Sequence, residues 1–212
     1  MDDVLLLWRK AVGPLAANCY IVACPRTRVA AVVDPGAPDP WIEETVRSEG
    51  LRVERILLTH GHGDHIGGVE WVRGWSGAPV ACHPGDVPLL REPQLNGSAW
   101  FGSPVSLPDP EHLLEEGGRV VLGEVHLEVL HTPGHTPGGV CFRGPGLVLA
   151  GDTLFAGSIG RTDLPGGDHA TLVRSIREKL FILPPDTVVY PGHGPETTIE
   201  DEKKYNPFVG VD

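Results

Sequence analysis

Residues 60–65 read His60-Gly61-His62-Gly63-Asp64-His65, three imidazoles and a carboxylate within six positions. Glycine lacks a Cβ, so Gly61 and Gly63 let the backbone turn sharply and allow four donor side chains to converge. This loop constrains the fold more than any other feature. It needs a rigid frame that brings further donors to the same place. The loop follows an apolar, strand-like run, 53–58, and three more donors repeat that context. His135 stands in Thr132-Pro133-Gly134-His135-Thr136-Pro137-Gly138, after 125–130. Asp152 stands in Gly151-Asp152-Thr153, after 147–150, and His193 in Tyr190-Pro191-Gly192-His193-Gly194, after 187–189. Loops at the strand ends of a rigid sheet are common carriers of binding and catalytic groups. Imidazole with carboxylate suits zinc, iron or manganese, and the absence of cysteine from these segments argues against a thiolate site.

The rest of the chain reads as two β-rich halves. Strands are predicted at 4–7, 19–23, 29–33, 53–58 and 79–82, then at 119–122, 125–130, 139–142, 147–150 and 187–190. Helices are predicted over 40–49 with Asp39 as N-cap, after His65, over 170–180, and over 197–205. Residues 92–118 hold four prolines and the pair Trp100-Phe101. They lack periodicity and read as an irregular functional loop, with the aromatic pair either lining a lid or packing beneath it. Two β-rich halves with outer helices imply a sheet-on-sheet core, with the donors gathered along one edge. No shift of composition divides residues 1–212, which read as a single domain.

Composition excludes several function classes. Lys and Arg number 17 against 28 Asp and Glu, a net charge of −11, which repels phosphate backbones and argues against nucleic-acid binding. No apolar stretch approaches the ~18 residues that span a bilayer. The N-terminus has acids where a signal peptide has bases, so a cytoplasmic protein is expected. Cys19, Cys24, Cys82 and Cys141 form no C-x-x-C pair and read as small buried hydrophobes. His83, His112, His126, His131 and His169 lack the glycine-flanked strand-end context and read as ordinary histidines. Three Asn, one Gln and one Met fit a heat-adapted source or a GC-rich genome equally.

Together these motifs resemble the metallo-β-lactamase fold superfamily, whose signature is H-x-H-x-D-H followed by separate His, Asp and His. The resemblance runs from Asp34 to His193. It implies an α/β fold, a four-layer αββα sandwich with the metal site at one edge of the sheets. By position it implies that His60, His62, His135 and Asp152 hold one metal, and that Asp64, His65, Asp152 and His193 hold a second. Asp152 would be shared between the two. Asp34 matches a buried acid that orients the His-rich loop. The cofactors implied are two divalent metal ions, zinc foremost, with iron or manganese as alternatives.

Details narrow the resemblance. Class B β-lactamases typically place Cys in a second-metal position, where this chain has none. The 40 residues between Asp152 and His193 leave no room for the insertion of the RNA-processing members. Flavodiiron proteins carry Glu where this chain has His62. The segments 157–163 and 192–198 are similar to the small, single-domain glyoxalase II-like hydroxyacylglutathione hydrolases. That resemblance implies hydrolysis of a small-molecule thioester such as S-D-lactoylglutathione. Metal-bound hydroxide would be the nucleophile, with no catalytic side chain beyond the metal ligands. Arg161 reads either as an anchor for a substrate carboxylate or as a structural partner of Asp163. Longer glyoxalase II enzymes add a C-terminal helical domain with basic glutathione contacts. Without it, recognition would fall to local groups such as Arg161, Lys203 and Lys204, and a broad thiol preference is expected. Two other readings stay open. One is a persulfide dioxygenase with a single iron on His60, His135 and Asp152. The other is a metal-binding protein without turnover.

Overall fold

The computed structural model describes residues 5–210. The first half supplies one six-stranded sheet, made in chain order of β1 (Leu6–Val12), β2 (Ala17–Ala23), β3 (Val29–Val33), β4 (Arg52–Leu57), β5 (Val80–Cys82) and β6 (His112–Leu113). Helices α1 (Pro40–Ser48), α2 (Gly63–Ile66), α3 (Val69–Ser76) and α4 (Val87–Arg91) are interleaved with it. The second half supplies β7 (Arg119–Leu122), β8 (Val125–His131), β9 (Val140–Gly144), β10 (Leu147–Gly151), the separate hairpin β11 (Leu154–Phe155) and β12 (Ser158–Ile159), then β13 (Val188–Pro191) and β14 (Thr197–Thr198). The second sheet runs in the order β14-β13-β10-β9-β8-β7. Its helices are α5 (His169–Ser175), extended by a π-helical turn at Ile176–Leu180, and α6 (Ile199–Tyr205).

Strand alternation builds the layers. Every residue of β2 is buried, and successive side chains point to opposite faces. Tyr20 and Val22 join Leu127, Phe142 and Leu149 in the core between the sheets. Cys19 and Ile21 instead join Ile42, Val46 and Val72 under the helices of the first half. β10 divides in the same way. Leu147 and Leu149 face the central core, while Val148 and Ala150 join Leu172, Ile176 and Leu180. A fully buried Leu or Ile stabilises such a layer by about 1.5–3 kcal/mol. The result is the expected αββα sandwich, and all four cysteines are buried and free.

Some boundaries differ from expectation. The predicted strand at 4–7 begins outside the described residues, and β1 runs on to Val12 through Arg9 and Lys10, both exposed. It pairs with β2 along one side only, and the two charged side chains form ion pairs with Glu196 and Asp39. The helix expected after His65 is broken into α2 and α3. Gly68 caps α3, and a Cβ on Gly68 would stand 2.5 Å from the Ala37 carbonyl oxygen. β6, β11, β12 and β14 have two residues each, too short for an alternation to register in sequence. α1 forms as predicted, with Asp39 Oδ1 accepting the Trp41 N–H at 2.9 Å.

Candidate metal centre

Parallel pairing brings the donor loops together. β3 lies parallel to β4 and β10 parallel to β13, so their C-terminal ends open on the same edge. Asp34 follows β3, the His60–His65 loop follows β4, Asp152 follows β10 and His193 follows β13. His135 comes from the loop after β8. All seven donors predicted from sequence meet there, with Asp34 beside them.

They form two groups joined by one carboxylate. The candidate donor atoms of His60, His62 and His135 converge within 4.8 Å, as do those of Asp64, His65 and His193. His62 Nδ1 lies 2.9 Å from His135 Nε2, and His65 Nε2 lies 3.3 Å from His193 Nε2. Asp152 sits between the groups, with Oδ2 3.6 Å from His135 Nε2 and 3.7 Å from His193 Nε2, and Oδ1 3.4 Å from His65 Nε2. Asp34, His60 and His65 also converge, but both Asp34 oxygens already accept protein donors.

The hydrogen bonds around the cluster fix which nitrogens carry protons. Asp34, 1% exposed, accepts the Thr59 N–H at 2.8 Å, the Thr59 hydroxyl at 2.5 Å and His65 Nδ1 at 3.0 Å. The Thr59 hydroxyl proton is thereby used, so its oxygen accepts from His60 Nδ1 at 3.1 Å. His135 Nδ1 donates to the Arg161 carbonyl at 2.7 Å. His60 and His135 therefore turn bare Nε2 atoms inward. Asp34 has φ 50°, a strained left-handed setting for a residue other than glycine, of the kind that collects at functional sites. His60 Nε2, His62 Nε2 and Asp152 Oδ1 are buried without a hydrogen-bond partner, three of the four such side-chain atoms among the described residues. A buried polar atom left unpaired costs about 1–3 kcal/mol, and a cation among the inward donors would remove that cost for His60 Nε2 and Asp152 Oδ1.

Electrostatics divide the two groups. Burial and the neighbouring imidazoles push His60 well below its ordinary value and His62 down to about 3, so both stay neutral. In the other group burial opposes charge, but the carboxylates of Asp152 and Asp64 outweigh it and raise His65. Burial likewise opposes the Asp64 carboxylate, yet His65 and His193 hold it down to about 2. Two carboxylates and two imidazoles in that space suit a cation in place of protons.

Sequence reasoning missed two residues that hold the loops. Asp86 is fully buried and accepts Gly61 N–H at 2.9 Å, the Thr136 hydroxyl at 2.8 Å and Gly138 N–H at 2.6 Å. It thus ties the loop of His60 and His62 to the loop of His135. Asn18 in β2 donates to the Pro191 and Gly194 carbonyls, each at 2.9 Å, and clamps the His193 loop from the opposite sheet. The chain has only three asparagines, Asn18, Asn96 and Asn206, and all are buried, so their rarity was a usable signal. Gly61 and Gly63 do not adopt a left-handed turn. A Cβ on either would stand 2.7 Å from the Cβ of Leu89 or Ser98, so they serve close packing.

The sequence pattern of the Metallo-beta-lactamase superfamily matches residues 12–193. The chain belongs to this superfamily. Within it, the probable metallo-hydrolase YqgX of Bacillus subtilis is 43% identical, covering 95% of this chain and 97% of that protein. The hydroxyacylglutathione hydrolase GloC of Haemophilus influenzae is 38% identical over 85% of this chain and 87% of its own. The solved structure of BLEG-1, named a B3 metallo-β-lactamase, superposes with TM-score 0.91 at 39% identity, covering 96% and 99% of the two chains. TTHA1623, solved in a di-iron-bound form, superposes with TM-score 0.85 at 41% identity, covering 95% and 99%.

Beside the metallo-β-lactamase-type centre lies a cleft of about 410 Å³, lined by His62, Asp64, His135, Asp152 and His193 together with Leu15, Asn96, Trp100, Phe155, Ile159 and Leu164. Arg161 also borders it, but its Nε and Nη2 each bond Asp163 at 2.7 Å, the structural alternative expected for it. Trp100, 52% exposed, stands at the cleft. Lys203 and Lys204 do not line it. Lys203 donates to the Phe181 carbonyl at 3.0 Å and Lys204 lies over the Tyr205 ring. Glu202 beside them is buried and accepts Gly157 N–H, which holds the β11–β12 hairpin against α6.

Proposed function

We propose that the chain, taken as one functional unit, is a dinuclear metallo-hydrolase of the glyoxalase II type that cleaves small-molecule thioesters. The observation that carries this reading is the pair of donor groups joined by Asp152, with His60 Nε2 and Asp152 Oδ1 buried and unpartnered. His60, His62, His135 and Asp152 would hold one ion. Asp64, His65, Asp152 and His193 would hold the other. Zinc is the first choice, with iron or manganese as alternatives. A divalent ion in such a site lowers the pKa of coordinated water from ~15.7 to about 7 and polarises a carbonyl.

The residues supply positioning. Asp34 and the Arg161 carbonyl fix the imidazole orientations. Asp86 and Asn18 hold the loops in place. A departing thiolate, whose parent thiol has a pKa near ~8.5, needs no strong general acid, and none is assigned. Among the described residues no helix is long and apolar enough to cross a membrane. A cytoplasmic setting accords with the buried, unpaired cysteines.

A β-lactam is the second reading, favoured by the 39% identity to a protein named a B3 metallo-β-lactamase. The test loads the purified protein with zinc, iron or manganese. It then measures metal per chain, hydrolysis of S-D-lactoylglutathione and of a β-lactam, and oxygen uptake with a persulfide. Two metals per chain with thioester hydrolysis is the expected result. One iron with oxygen uptake, faster β-lactam cleavage, or metal binding without turnover would each replace it.

A further inference from the structure

We propose that the cleft beside the metal centre takes an uncharged, apolar arm of the substrate. The preferred substrates are then thioesters with aliphatic or arylalkyl groups, ahead of glutathione esters. This rests on the hydrolase reading and adds the chemistry of the part of the substrate that does not react.

The lining carries the inference. Apart from the metal-type donors, its apolar side chains are Leu15, Trp100, Phe155, Ile159 and Leu164. They come from separate segments. Leu15 sits between β1 and β2, Trp100 in the 92–118 loop, Phe155 and Ile159 on the β11–β12 hairpin, and Leu164 beyond it. Leu15 is 42% and Trp100 52% exposed, so large apolar surfaces stand in water at the rim. Exposed apolar surface grouped around a polar centre marks a place where apolar ligand surface is received.

The polar side chains of the lining are already committed. Asn96 Nδ2 donates to the Leu89 carbonyl at 2.8 Å and the Val105 carbonyl at 3.0 Å, while its Oδ1 accepts Ser98 N–H at 3.0 Å. Arg161, the one cation in the lining, is held by Asp163 through two bonds. Glutathione brings two carboxylates and an ammonium. The cleft offers them one arginine whose charge is already met, on a chain of net charge −11. An exposed ion pair adds little to binding, whereas each methylene moved out of water strengthens it about fourfold when fully buried. In an open cleft about half of that free energy is expected, a factor of about two per methylene.

The experiment uses the metal-loaded protein and two substrate series. In the first, acetyl, butanoyl, hexanoyl and phenylacetyl groups are carried on N-acetylcysteamine. In the second, one acyl group is carried on glutathione, N-acetylcysteamine or benzyl mercaptan. The expected result is a kcat/KM that rises about twofold per methylene along the series that enters the cleft, mainly through KM, with no advantage for glutathione. Trp100→Ala and Phe155→Ala each flatten that rise. A kcat/KM indifferent to apolar length in both series, or a preference of about tenfold or more for glutathione, overturns the proposal. If no thioester is hydrolysed, the hydrolase reading fails by itself, and calorimetry decides the cleft. Affinity that tightens from acetate to hexanoate and phenylacetate, and is lost in Trp100→Ala, supports the proposal. Affinity independent of length overturns it.

Discussion

Asp86 Oδ1 accepts a 2.6 Å hydrogen bond from the backbone N–H of Gly138, and through that bond the loop of His135 is fastened to the first half of the chain. The approach is so close that a Cβ on Gly138 would stand 2.4 Å from the Asp86 nitrogen. The second Asp86 oxygen holds Gly61 and Thr136. Burial pushes the Asp86 carboxyl up, and its three donors oppose that shift.

Asp86→Asn places an amide N–H against backbone N–H donors, and Asp86→Ala leaves three donors without an acceptor. Each buried donor left unpaired costs about 1–3 kcal/mol. A loss of about 3 kcal/mol in folding stability is expected by urea denaturation. The sites should then respond unequally, with metal lost from the His60, His62 and His135 group before the Asp64, His65 and His193 group. Unchanged metal affinity in Asp86→Asn would remove its positioning role.

Asp34→Asn keeps an acceptor for the Thr59 N–H but removes the charge that orders His65 and, through Thr59, His60. Substituting residues that orient metal ligands typically weakens metal affinity about 10–100-fold. Competition with a chromophoric chelator should show a loss in that range, with the circular dichroism spectrum unchanged. Wild-type affinity in the variant would mean that the ligands are ordered without Asp34.

His193→Ala and His135→Ala separate the two groups. On the dinuclear reading, His193→Ala lowers the metal content from two towards one per chain and thioesterase activity falls steeply. His135→Ala should lose most of the metal held by His60 and His62. Elemental analysis of both proteins checks this, and full occupancy in His135→Ala would be incompatible with the assignment.

His83 stacks on His131 with ring centroids 4.0 Å apart and accepts the Gly85 N–H through Nδ1 at 3.1 Å. Burial, and then the neighbouring His131, lowers His83 from 6.5 to about 4. Its folded value lies below its unfolded one, so the unfolded chain takes up the proton first as pH falls. The stability that His83 contributes is whole above pH 6.5 and declines as pH falls to about 4. Melting curves should show wild type losing stability relative to His83→Gln across that window. Parallel pH profiles of the two proteins would contradict this.

Much of the centre could be read without a structure. A candidate metal donor must carry a particular atom, so the convergence of His60, His62, Asp64, His65, His135, Asp152 and His193 could be anticipated from residue type and from glycine flanks after apolar runs. The alternation that divides Tyr20 and Val22 from Cys19 and Ile21 is likewise a local property of the chain. Three things needed the tertiary fold. Asp86 and Asn18 act on backbone groups of distant loops, and a backbone N–H or carbonyl carries no mark of its partner in the sequence. The need for glycine at 61 and 63 comes from contacts with Leu89 and Ser98, which only packing creates. The cleft, finally, is a meeting of Leu15, Trp100, Phe155 and Leu164 from separate segments. Each taken singly is an ordinary apolar residue, and the surface they share exists only once the two sheets have packed.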